Sequence, residues 1–189
     1  MKRMQKENQH LFLPVLNTSR LELRPITLWD AEDMYDYAKQ QLTTKYLLWH
    51  PHKDIFETRE HISHMKDGYQ KGNCYDFALA LKENGKMIGT GGFVYVDQED
   101  KKAEVGYVLH PDHWNKGLGT EALRAVIDFG FNSLDLRRIE ARYMVENIAS
   151  ATVMKKAGMS FEGILRKALF VKGKHRDIGI YSILKEEYK

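Results

Sequence analysis

Only one cysteine, Cys74, occurs among the 189 residues, so neither an intramolecular disulfide nor a thiol-rich metal cluster is available. The fold must stand on packing. Neither sign of charge dominates: 29 Lys and Arg against 26 Asp and Glu leave a formal charge of +3, spread along the chain, which gives no nucleic-acid footprint. No apolar run reaches the roughly eighteen residues of a transmembrane helix. The apolar stretch Leu11 to Leu16 follows Lys2, Arg3 and Lys6, but it is short, broken by Pro14 and without a small-residue cleavage site. It does not read as a signal peptide, and a cytoplasmic protein is expected. Repeats, linkers and low-complexity segments are also lacking. With 43% apolar residues, the chain can bury one core, so an N-terminal extension (1–17) and a single domain (18–189) are expected.

What is present is a regular succession of periodic segments. Leu21 and Leu23 alternate with Glu22 and Arg24, the period-two signature of a half-buried strand over Arg20 to Ile26. Thr27 with Asp30 predicts a capped helix to about Lys39, and a second helix is expected from Ile55 to Tyr69. Asn84-Gly85 between Tyr75–Leu81 and Met87–Val96 signals a hairpin, and Ala103–Leu109 continues it as a fourth strand. Leu118, Ala122, Val126 and Phe129 then recur at helical spacing, predicting a helix to about Leu134. A fifth strand (Arg138–Val145), a short helix (Ile148–Ala157) and a closing hairpin (Met159–Val171, Arg176–Leu184) complete the order. This succession predicts an α+β fold: a mixed, mostly antiparallel seven-stranded sheet with about four helices on its faces and one central strand-helix-strand crossover.

The loop entering that crossover helix runs from His110 to Thr120 and contains Gly117 and Gly119. A helix start exposes unpaired N–H groups and positive dipole, and glycine allows close approach, so a diphosphate fits there. Lys116 adds charge. For a lone Gly-x-Gly, a tight turn into a helix is the better explanation, so the surrounding context must decide. Residues Gly117 to Ala122 also fit a dinucleotide fingerprint, with Glu140 downstream. Topology argues against that rival, because the fingerprint belongs after the first strand of a repeating strand-helix series. No GK[ST] P-loop is present.

Trp114-Asn115-Lys116-Gly117-Leu118-Gly119 resembles the acetyl-CoA loop [QR]-x-x-G-x-[GA] of the GCN5-related N-acetyltransferase superfamily, with Trp114 departing from Gln or Arg. Trp before the glycines and Thr120-Glu121-Ala122 after them resemble the subgroup of ribosomal-protein alanine N-acetyltransferases (RimJ/RimL-like). Further matches are Glu104-Val105-Gly106-Tyr107, Asn147-Ile148-Ala149-Ser150, Lys156 to Gly163, and Asp177 with Tyr181. They extend the similarity over roughly Ser19 to Glu187.

The resemblance implies transfer of an acetyl group from acetyl-CoA to a primary amine by direct attack, without a metal. Tyr107, Val108, Leu109, Asn115, Lys116, Gly117, Leu118, Gly119, Thr120, Asn147 and Ser150 are then expected to hold the donor. Glu104 is the candidate general base, against a plain reading as a solvated strand glutamate. An amide near Val108 or Leu109 would polarise the thioester, provided the fourth and fifth strands splay. Ser150 is the candidate proton donor to the leaving thiolate, although Asn147 and Ser150 also read as an ordinary helix N-cap. The favoured acceptor is a protein N-terminal α-amine, ribosomal or other. The alternatives are a small-molecule amine and a non-catalytic acyl-CoA-binding module. A homodimer is implied by the same resemblance, with no interface marked in sequence; no membrane and no direct nucleic-acid partner are expected. Cys74 and the His61/His64 pair carry no assigned chemistry.

Overall fold

The structure, a computed structural model, describes residues 13–188. One sheet organises them, in the order β1-β2-β3-β4-β5-β6-β8-β7. Its strands are β1 (Leu16–Asn17), β2 (Leu21–Arg24), β3 (Tyr75–Leu81), β4 (Met87–Asp97), β5 (Lys102–Leu109), β6 (Arg138–Met144), β7 (Ser160–Val171) and β8 (Lys174–Leu184). Every neighbouring pair is antiparallel except β5 and β6. The helices are α1 (Ala31–Ala38), α2 (Gln41–Thr44), α3 (Ile55–Gln70), α4 (Leu118–Asn132) and α5 (Ile148–Lys156).

The strand count is therefore eight rather than seven. Leu16 and Asn17 pair with Leu23 and Glu22, and Leu13 is buried in the core, so these residues pack with the sheet. Residues 1–12 of the expected extension lie outside the described residues. The extra helix is α2, whose four residues are too few to show a helical period.

Two hydrophobic layers sandwich the sheet. On one face α4 buries Leu118, Ala122, Val126 and Phe129 against Phe77, Phe93, Val105 and Ile139. The contact is close: a side chain at Gly130 would begin 2.7 Å from Phe93 Cζ and 2.8 Å from Ile139 Cδ1. On the other face α1 and α3 bury Met34, Tyr37, Ile62 and Met65 against Ala78 and Met87. Strand alternation sends Val105, Tyr107 and Leu109 toward α4, and Glu104, Gly106 and Val108 toward the α1/α3 face.

What positions the site is the end of the parallel ladder. β5 and β6 pair at only four positions, from Lys102↔Arg138 to Val105↔Ala141. Beyond them β4 still holds β5 as far as Leu109, and β8 holds β6 as far as Met144. The two strands thus run on without pairing to each other, and a gap opens in the middle of the sheet.

Candidate active site

The gap exposes backbone donors of known direction. The His110 amide bonds the Ile88 carbonyl on β4 at 2.7 Å, which fixes the alternation of the antiparallel ladder. Val108 shares the parity of His110, so its N–H turns toward Thr90 on β4. Of the two alternatives named from sequence, Leu109, with Tyr107 before it, turns its N–H into the gap, and Val108 does not.

At the outer end of the gap lies the glycine loop. A short 3₁₀ turn (Pro111–His113) leaves β5, and Trp114 Nε1 donates to the Leu109 carbonyl at 2.8 Å, tying the loop back to the strand. Asn115 and Gly117 both adopt positive φ, 58° and 78°. Gly117 is the residue before α4, and the first helical amide to find a backbone acceptor there is Glu121, which donates to Gly117 O at 3.1 Å. The amides of Leu118, Gly119 and Thr120 are left pointing out of the helix start, with the positive dipole end behind them. Gly119 lets this start approach the strand: its Cβ would begin 3.3 Å from Leu109 Cδ1 and 3.6 Å from Val153 Cγ2. Lys116 is exposed beside these donors. A glycine-lined set of free amides with an adjacent cation fits a diphosphate.

Sequence spacing gives no sign of what braces the loop. Glu121 accepts from Thr18 Oγ1 (2.6 Å), Ser19 Oγ (3.0 Å), Arg20 N (2.8 Å) and Arg20 Nε (2.8 Å), and Arg20 Nη1 donates to the Lys116 carbonyl at 2.8 Å. Burial alone would raise the Glu121 carboxyl, but these donors outweigh it and hold the group at about 2. The partners are about a hundred residues apart, and only the fold brings them together. Among the described residues a broad concavity follows this brace along α4, bounded by Asn17, Arg20, Gly117, Thr120, Arg124 and Lys156. It meets the loop at Gly117 and Thr120, and none of Glu104, Tyr107, Leu109, Asn147 and Ser150 lines it.

Across the gap, Asn147 caps α5 through Oδ1, which accepts the Ser150 amide at 3.3 Å. Ser150 Oγ lies 3.0 Å from the Tyr107 hydroxyl, which also donates to the Ser150 carbonyl at 3.1 Å. Burial pushes the Tyr107 phenol up to about 12, with the bond to Ser150 opposing it, so the phenol stays protonated at neutral pH. Tyr107, Leu109, Asn147 and Ser150 therefore gather on the α4/α5 side of the gap.

Glu104 lies on the opposite face, one residue before the ladder ends. It stands beside Glu140 across the ladder, and Arg142 Nε is 3.2 Å from its carboxylate. Burial raises its carboxyl first, Arg142 lowers it, and Glu140 raises it again, for a net upward shift. Glu140 is held by Arg138 at 2.7 Å and reached by Arg142 at 3.9 Å, whereas Glu104 has Arg142 alone. Cys74, half-buried, has its thiol pushed up by burial, which suits packing rather than nucleophilic work. No helix among the described residues is long and apolar enough to cross a membrane.

Comparison with known proteins agrees with this geometry. The acetyltransferase (GNAT) domain matches residues 20–160. An uncharacterized N-acetyltransferase, p20, of Bacillus licheniformis is 38% identical over 93% of this chain and 99% of its own length. Relatives named for their acceptors diverge: a ribosomal-protein-serine acetyltransferase of Escherichia coli is 32% identical over 60% of this chain and 63% of its own length. A spermidine N(1)-acetyltransferase of the same species is 22% identical over 89% and 88%. Among solved structures, a GNAT-family acetyltransferase from Bacillus anthracis superposes with a TM-score of 0.82 at 27% identity, covering 92% of this chain and 99% of that one. A microcin C7 self-immunity acetyltransferase solved with acetyl-CoA and AMP superposes with a TM-score of 0.78 at 26% identity, covering 88% and 93%. With a matching domain over most of its length, a sheet that parts at its one parallel pair and a helix start open to a diphosphate, the chain belongs to the GNAT family of acetyl-CoA-dependent N-acetyltransferases.

Proposed function

We propose that the enzyme acetylates the α-amine at a protein N-terminus, with donor and acceptor meeting in the β5/β6 gap from opposite faces of the sheet. The observation that carries this reading is the division of groups about the gap: Tyr107 and Ser150 on one face, Glu104 on the other. Acetyl-CoA supplies a thioester carbonyl open to an amine nucleophile. The free amides of Leu118, Gly119 and Thr120, with Lys116 beside them, would hold its diphosphate. Asn115 lies in the same loop, and Asn147 stands at the start of α5 where the pantetheine arm would enter. The Leu109 amide would donate to the carbonyl oxygen as negative charge develops there.

Glu104 would take the proton from the incoming ammonium, directly or through one water, and Ser150, backed by the Tyr107 phenol, would return a proton to the departing sulfur. The demands on the base favour an α-amine. With a pKa of about 8 against about 10.4 for a lysine side chain, an α-amine is far more often neutral near pH 7, so a carboxylate only modestly raised above its usual range suffices. The relative named as a ribosomal-protein-serine acetyltransferase supports a protein acceptor.

Incubation with acetyl-CoA and a mixed panel of N-terminal peptides, ribosomal proteins and small amines, followed by thiol release and product mass, tests the proposal. Acetylation of peptide α-amines is the expected result. Turnover confined to small amines would overturn the acceptor, and donor binding without any turnover would leave only an acyl-CoA-binding role.

A further inference from the structure

The acceptor face carries one carboxylate that neither the fold nor the mechanism above uses. Asp76 lies on β3 with the parity of Ala78, so it faces the same side of the sheet as Glu104, under the margin of α1 and α3. Its neighbours along the row are Gly92 on β4 and Gly106 on β5. Neither glycine adds a side chain to the row between Asp76 and the gap: the Tyr75 carbonyl would clash with a Cβ at Gly92, and Cγ1 of the exposed Val94 lies 3.0 Å from where one would stand at Gly106. At two strand spacings, Asp76 stands about 10 Å across the sheet from Gly106.

Among the described residues no basic side chain pairs with this carboxylate, although Arg24, Arg138, Arg142 and Arg176 all neutralise other acids. Only the Phe77 backbone amide eases its charge, and burial pushes its carboxyl up to about 7. Burial pushes the Tyr37 and Tyr69 phenols up, and the nearby Asp76 charge adds to the shift of both. The Tyr69 hydroxyl is already committed, donating to the Asp76 carbonyl at 2.5 Å and accepting from the Ile26 amide at 3.2 Å. A half-buried carboxylate without a cation is costly to ionise unless one arrives with a ligand. At about 10 Å from β5 it is too far to take a proton from an amine in the gap without a relay, whereas the base position there is filled by Glu104.

We propose that Asp76 is a specificity-determining residue that binds a second positive charge on the acceptor, carried about 10 Å from the reacting amine. This rests on the acceptor face assigned above and deepens it. For a peptide, that reach corresponds to a lysine or arginine side chain at the second or third residue; the distal ammonium of a linear diamine presents the same chemistry.

The test compares wild type, Asp76→Asn and Asp76→Glu on the tripeptide amides Ser-Lys-Ala and Ser-Ala-Ala, and on a linear diamine of that span against its matching monoamine. Wild type is expected to prefer the dicationic member of a pair by about tenfold or more in kcat/KM, the range of a charge-assisted hydrogen bond. Asp76→Asn should bring the ratio close to one with acetyl-CoA Kd unchanged, and Asp76→Glu should restore part of it. A preference seen only with the tripeptides identifies a protein N-terminus as the source, and one seen only with the diamine identifies a small molecule. Equal loss on both members of a pair in Asp76→Asn, or equal wild-type efficiency on both, overturns the cation site while leaving acetyl transfer intact. Calorimetric binding of the same compounds to the protein with CoA separates the two readings. Asp76-dependent binding of Ser-Lys-Ala without any acetylation would sink the transfer reading and keep the cation site.

Discussion

The two faces of the β5/β6 gap are built by different means. On the donor face the groups are mainly backbone: the Leu109 amide, the open start of α4 and the turn at Asn115 and Gly117, locked by Arg20, Glu121 and Trp114. On the proposed acceptor face they are side chains, Glu104 and Asp76, on the side of the sheet against which α1 and α3 pack. Backbone donors are indifferent to most substitutions and suit a ligand that does not change. Side chains on a separate layer can be exchanged without disturbing that half, which accords with relatives named for acceptors as unlike as a ribosomal protein and spermidine.

Breaking the donor face should produce the largest effect. Gly119→Val would drive its branches into Leu109 Cδ1 and Val153, displacing the α4 start. The acetyl-CoA Kd should rise on the order of 100-fold, measured by calorimetry, with acceptor selectivity unchanged. On the acceptor face Glu104→Gln should lower kcat by about 100-fold, while acetyl-CoA Kd stays the same. The sign of its pH dependence follows from its raised carboxyl: wild-type activity falls as pH drops through a value above the usual 4.5, and the variant loses that limb. A kcat/KM profile against pH checks both. Ser150→Ala should lower kcat by about tenfold or more with donor affinity nearly unchanged, and full activity in that variant would remove Ser150 from the mechanism.

Smaller effects sharpen the comparison. Because Glu121 is held near 2 against an ordinary 4.5, the folded state binds fewer protons than the unfolded between those values. Its stabilisation is complete above pH 4.5 and is lost as pH falls toward 2. Glu121→Gln should therefore lower Tm by a few degrees at pH 7 and by progressively less in acid, and should weaken acetyl-CoA binding by loosening Lys116. Equal losses of Tm at pH 7 and pH 3 would contradict the linkage.

Most of this architecture was legible before any coordinates, for reasons particular to each segment. β3 spans the expected Tyr75 to Leu81, and β5 begins one residue early, because alternating apolar residues bounded by turns leave little choice of register. α4 ends at Asn132 rather than Leu134, within the usual fraying of helix ends. β1 was invisible because two residues cannot show a period, and α2 because four cannot complete a second turn. At the site, the glycine loop and Asn147 to Ser150 carry local signatures. The orientation of Val108 depends on ladder parity, and the Arg20–Glu121 brace on a contact across the whole crossover unit; neither is a local property of the chain.

An α-amine entering from the Glu104 face should take the acetyl group held on the Ser150 face. This transfer is tested most directly by incubating the enzyme and acetyl-CoA with a serine-initiated peptide that also contains an internal lysine, then mapping the product by fragmentation mass spectrometry while counting released thiol. One acetyl group on the α-amine for each thiol released is the result expected. Acetyl found only on the lysine side chain, or acetyl-CoA bound with no thiol released, would contradict it.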